Sequence, residues 1–115
     1  MVDDTLYVLE NVKKILGETG DSNNSKITMY GIMADNKLKN SLNRVRDPDT
    51  GELVLPFTST IPNEIHDLAD ELTVGYFYKY ESGSVDILEQ ALLDLEEYID
   101  THYRRPRFTA EGCGY

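Results

Sequence analysis

The 115-residue chain is a single domain by length, and a domain of that size buries roughly two-thirds of the surface its unfolded chain exposes, so it can fold without staples. Its single cysteine, Cys113, cannot form an internal disulfide, which excludes a secreted disulfide scaffold and is compatible with a reducing interior. The net charge of −10 opposes tight binding along phosphate backbones, which depends on Lys and Arg displacing counterions, and so argues against sequence-specific DNA recognition.

That charge is unevenly placed. Residues 1–63 hold nine acids and seven bases, residues 64–100 hold eleven acids and one base, Lys79, and residues 101–115 hold Arg104, Arg105 and Arg107 against Glu111. The middle of the chain supplies the whole imbalance. Adaptation to a salty cytoplasm is a second reading of it, against which the six lysines stand. The N-terminal MVDDTLYVLE carries acids where a signal peptide has basic residues, and no apolar run approaches the ~18 residues of a membrane span, so a soluble protein is expected.

In chain order, residues 5–17 read as a short helix with Leu9, Val12, Ile15 and Leu16 on one face and Gly17 as its left-handed stop. Lys13 and Lys14 near its end complement the helix dipole. A polar turn follows. Ile27, Gly31, Ala34, Leu38, Leu42 and Val45 then recur at three- and four-residue steps, which predicts a helix of about twenty residues. Gly31 and Ala34 suggest a close crossing, while Tyr30, Ile32 and Met33 lie off the stripe and call for a second neighbour, such as another subunit.

Residues 46–60 change character. Asp47-Pro48-Asp49-Thr50-Gly51 is turn chemistry, and Leu53, Leu55 and Phe57 alternate with Val54, Pro56 and Thr58, so a loop or short hairpin is expected. Pro56 argues against a central strand because it cannot donate to a ladder. Residues 61–80, IPNEIHDLADELTVGYFYKY, form the stretch around which the chain is organised. Pro62 suits a first helical position, and Ile61, Ile65, Leu68, Leu72, Tyr76 and Tyr80 make a broad apolar stripe opposite Asn63, Glu64, Asp67, Asp70, Glu71 and Lys79. Gly75 interrupts that helix at a cost of about 1 kcal/mol relative to alanine, which points to a close helix–helix approach. After a break at 81–84, Ser84 is the expected cap of a last helix to about Tyr103. Its stripe is Val85, Leu88, Leu92, Leu95 and Ile99, and Pro106 ends any helix beyond it.

Motifs for chemistry are missing. His66, His102 and Cys113 have no ligand spacing, and Asp47-x-Asp49-x-Gly51 departs from a calcium loop because its glycine comes one position early and Thr58 stands where the closing Glu belongs. There is no G-x-S-x-G, no phosphate-binding glycine loop and no cysteine–histidine signature, so neither an enzyme nor a cofactor is expected. Eight tyrosines with no tryptophan hint at interaction surface, since tyrosine offers large area at low entropy cost; ordinary helix packing is the alternative.

The order of these features resembles the small helical head–tail adaptor, or head-completion, proteins of tailed viruses. The likeness rests on LYVLENVKKILG as opening helix, the long helix holding Ile27 to Leu42, a proline-containing loop, IPNEIHDLADEL starting the central helix, and a final amphipathic helix with an irregular tail. It implies an all-α bundle of about four helices, here residues 1–103, to which the residues themselves add a long partly extended loop at 46–60 and an irregular C-terminal tail at 104–115. It further implies a non-enzymatic ring of about twelve copies beneath the portal, in the neck of the virion after assembly in the host cytoplasm. The ring extends the DNA channel without binding DNA specifically, involves no membrane, and docks a stopper or tail protein. On that resemblance the expected portal-binding residues are Tyr103, Arg104, Arg105, Arg107, Phe108 and Tyr115. The expected subunit contacts are Tyr30, Met33, Leu53, Leu55, Phe57, Phe77 and Tyr78, and the channel-facing acids Glu89, Glu96, Glu97 and Asp100. The loop DPDTGELVLPF does not map onto the family's inter-helix loop. Two other readings are a small acidic cytoplasmic regulatory protein that binds a basic partner, and a tail-completion protein further from the capsid.

Overall fold

A computed structural model of the chain describes residues 6–43, 45–55 and 61–103. It is all-α: α1 (Leu9–Leu16), α2 (Asn24–Leu42), α3 (Asn63–Ser82) and α4 (Asp86–His102), with one isolated antiparallel bridge, Arg46 to Leu53, as the sole β pairing among the described residues. Helix α3 is the centre, packing on each of the other three, while α1 also touches α2. The main core gathers Ala34, Leu38 and Leu42 of α2, Ile65, Leu68, Ala69 and Leu72 of α3, and Leu88, Ala91, Leu95 and Ile99 of α4. These belong to the expected stripes, facing one another, but three residues assigned to such stripes are exposed instead: Ile15 of α1, Tyr80 near the end of α3, and Val85, which lies just before α4.

Gly75 is where α3 and α4 approach most closely. A Cβ there would lie 2.6 Å from the Leu88 Cα and 2.9 Å from its backbone nitrogen, so only a residue without a side chain fits. Gly31 has a different use: a Cβ would meet the Tyr7 ring at 2.6 Å, so it accommodates an aromatic side chain from the N-terminal segment rather than a helix backbone. Gly17 and Gly83 end α1 and α3 in the left-handed conformation.

Several local expectations change. The first helix begins at Leu9 rather than near residue 5, because the peptide N–H groups of Leu6, Tyr7 and Val8 are taken by side chains instead of a helical ladder. Asp70, placed by pattern on the solvent face of α3, is buried: its carboxylate accepts from the Val8 N–H at 2.6 Å and from the Asn11 amide at 3.3 Å. Asp35 of α2, also buried, accepts from the N–H groups of Leu6 and Tyr7 at 2.9 and 3.0 Å. The Leu6 carbonyl lies 2.8 Å from His66 Nδ1, and since a carbonyl only accepts, that nitrogen donates; His66 is half-buried rather than a plain surface residue. Ser84 does not cap α4 with its side chain. It closes α3 instead, its N–H reaching the Tyr78 carbonyl behind Gly83, and the N-cap of α4 is Val85 with no side-chain cap bond.

The segment 45–55 is a hairpin tip. Asp47 Oδ1 accepts from the N–H of Asp49 at 2.7 Å, Gly51 N–H donates to the Asp47 carbonyl, and Gly51 has φ 76°, so the two aspartates of this motif organise a turn. Val54 N–H donates to the Val45 carbonyl, and Val54 and Leu55 fold back onto the main core.

Candidate interaction surface

The core stripes leave specific large apolar side chains in water. On the outer side of α2, Met29 is 50% and Ile32 52% exposed; on the hairpin Leu53 is 50% exposed; on the outer side of α4 Leu93 is 64% exposed. Met29 and Ile32 are three residues apart and so stand together on one helical face. The hairpin follows the opposite end of α2, which separates Leu53 from them. Tyr30, by contrast, is only 4% exposed. Its ring meets Phe77 edge-on at 5.8 Å and stacks with Tyr80 at 5.9 Å, and its hydroxyl donates to Glu81 at 2.5 Å, which is the first reason its pKa rises to about 12. The off-stripe tyrosine thus finds its second neighbour inside the chain.

The other expected contact residues divide. Phe77 and Tyr78 pack half-buried on a second apolar cluster of Val12, Ile27 and Val74 that joins α1, α2 and α3. Leu55 is half-buried on the main core, Met33 is half-buried, and Leu53 is open; Phe57 lies outside the described residues. Tyr103 is the C-cap of α4 and meets Tyr98 edge-on at 5.5 Å. Arg104, Arg105, Arg107, Phe108 and Tyr115 lie outside the described residues. Glu89, Glu96, Glu97 and Asp100 are all exposed on α4, away from its buried stripe.

Sequence reasoning missed a groove between α3 and α4, lined by Glu64, Asp67, Glu71, Asp94 and Glu97, with a volume of about 440 Å³. The helical steps from Glu64 to Asp67 and Glu71 were visible, but not that α4 sets its own carboxylates opposite them. Burial, then hydrogen bonding and repulsion from Asp94, push the Glu71 carboxyl up to about 7. Burial likewise raises the Asp70 carboxyl, against the Val8 and Asn11 bonds that favour its charged form. No group of three or more His, Cys, Asp or Glu side chains among the described residues has the arrangement to hold a metal ion, and no described helix is long and apolar enough to cross a membrane. Comparison with protein-family models, with curated proteins and with solved structures finds no match to this chain.

Proposed function

We propose that the protein is a head–tail connector subunit of a tailed virus, acting by shape and by closing into a ring below the portal. The observation that supports this most is that large apolar side chains are left in water at separate places on the surface, among them Met29 with Ile32 on α2, Leu53 on the hairpin and Leu93 on α4. A head-to-tail ring needs two different surfaces on each subunit, one meeting the other on its neighbour, whereas a twofold dimer needs one self-complementary surface. The acids exposed on α4, Glu89, Glu96 and Asp100, with Glu97 at the edge of the α3–α4 groove, then suit a channel wall along which DNA slides without sticking. The portal, on this reading, is met by the C-terminal tail.

The test is mass, by light scattering or native mass spectrometry, on the purified protein alone and mixed with the portal from the same virus. Several copies should join each portal, and Ile32→Asp should reduce that number while leaving the fold intact. A stable dimer indifferent to the portal would sink the connector reading. It would favour the second one, an acidic module for a basic partner, which the carboxylate-lined groove between α3 and α4 supports.

A further inference from the structure

The charges of the two outer helices are segregated. Apart from the buried Asp35, the charged residues of α2 are Lys26, Lys37 and Lys39, whereas α4 carries six acids and no lysine or arginine. Each helix also leaves large apolar side chains exposed, Met29 and Ile32 on α2 and Leu93 on α4. Lys26 comes three residues before Met29 and Lys39 seven after Ile32, spacings that keep each lysine on the face of that apolar side chain. Exposed Lys37 borders the same face, four residues beyond the half-buried Met33. Lys26 is paired with Glu81 at 3.1 Å, so a contact made by this face draws on Lys37 first.

The surroundings of Leu93 have the opposite charge. On a helix the residues four after and three before a position lie to one side of it, here Glu97 and Gln90, and those four before and three after lie to the other, here Glu89 and Glu96. Beyond Glu97 the carboxylates of Asp94, Glu71, Asp67 and Glu64 line the groove against α3, where the one basic side chain is His102. None of these five acids belongs to an ion pair among the described residues. Since α2 and α4 both turn their buried stripes to the core around α3, their outer faces lie on separate sides of the subunit and meet only between copies.

We infer that the outer face of α2 in one copy docks on the groove side of α4 in the next, with Met29 and Ile32 against Leu93 and the lysines of α2 toward the carboxylates between α3 and α4. Apolar side chains then form the centre of the contact and opposite charges its rim, the arrangement that fixes partner and register. With the two helices running the same way and Ile32 over Leu93, Lys37 lies five residues on, roughly 8 Å along α2, and Glu97 four residues on, roughly 6 Å along α4, within reach of a lysine side chain. The two surfaces are unlike, so the contact is head-to-tail and repeats from copy to copy; α2 facing α2 across a twofold axis would set lysines against lysines. Glu89 and Glu96, on the other side of Leu93, stay outside it. This contact would serve the ring of the connector reading but does not rest on that reading, because the protein alone tests it.

Isotopically heavy and light chains, mixed at millimolar concentration and treated with a carbodiimide, should give mixed-isotope cross-links from Lys37 to Glu97, Asp94 or Asp67, in a yield that falls as salt is added. Two charge variants at exposed positions, Asn36→Glu/Lys37→Glu and Asp67→Lys/Glu97→Lys, should keep the helicity of the parent by circular dichroism and each weaken self-association about tenfold or more in sedimentation equilibrium. An equal mixture of the two should recover it, because every altered face then meets its opposite charge. Cross-links confined to single chains, or a mixture no better associated than its components, overturns the inference. Should that happen while several copies still join each portal, the connector reading survives with Leu53 as its second surface; a contact formed by protein that never joins a portal keeps this inference and sinks that reading.

Discussion

Replacing Gly75 by alanine tests the closest helix crossing in the fold. Taken in isolation the change should help, because alanine is about 1 kcal/mol better than glycine inside a helix. The structure reverses the sign. The added methyl would sit 2.6 Å from the Leu88 Cα and 2.9 Å from its nitrogen, well inside the 3.4 Å at which ordinary contact begins, and both are backbone atoms that cannot rotate away. α4 must therefore move off α3 along the line of Leu88, Ala91 and Leu95, all buried in the shared core. Overpacking of this kind costs about 1–3 kcal/mol and sometimes more, so a net loss of about 1–2 kcal/mol is expected after the propensity gain. That corresponds to a fall in Tm of several degrees, roughly 3–6 °C per kcal/mol for a chain of this size. Urea unfolding read by circular dichroism measures it, with Gly20→Ala as control, since that glycine has open space around it and no left-handed backbone. If Gly75→Ala were as stable as the parent or more so, α3 and α4 would not cross as closely as described, and the use assigned to Gly75 would be wrong.

Asp70→Ala removes the acceptor of the Val8 N–H at the start of α1 and of the Asn11 amide, and should cost about 1–3 kcal/mol; hydrogen exchange at Val8 should accelerate far more than at Leu72. Gly31→Ala should cost only about 1 kcal/mol, because the Tyr7 ring it strikes is a side chain that can swing away, and near-ultraviolet circular dichroism should report the change of tyrosine environment. Glu71 holds its proton up to about pH 7 in the folded protein, against 4.5 ordinarily, so the native state binds more protons between those values and stability falls as pH rises through that window. Glu71→Gln should flatten this slope and raise stability at pH 8 by about 1 kcal/mol after allowance for solvent screening, as measured by urea unfolding at pH 5 and pH 8.

The sequence carried the helices and their stripes because burial on a regular element leaves a period, and Leu38, Leu72 and Leu95 are buried at the expected steps. Glycine was legible for the same kind of reason: a residue that weakens a helix must be repaid by its neighbour, and Leu88 is that neighbour to Gly75. What periodicity does not carry is contact between distant segments. Asp35 and Asp70 follow the surface pattern of charged residues, yet each is buried as the acceptor for peptide groups more than two dozen residues away. Tyr30 was open to the same error, since its distance from the α2 stripe says nothing of Phe77 and Tyr80 arriving from α3.

The buried aspartates and His66 have a partner in common, and it bears on how the chain works. All three are satisfied by residues 6–11: Asp35 by Leu6 and Tyr7, Asp70 by Val8 and Asn11, and half-buried His66 by the Leu6 carbonyl. That segment is therefore bound to the bundle by directional bonds, with little regular structure of its own. It also carries α1 into position, so that Val12 enters the second apolar cluster while Ile15 is left exposed beside α3. Loosening the two aspartates would release Ile15 as well as residues 6–8. In Asp70→Ala, amide exchange should then accelerate from Val8 through α1 to Ile15, while Leu72 and Leu95 in the main core stay protected. Acceleration confined to Val8, with Ile15 as protected as in the parent, would mean that α1 keeps its place without Asp70.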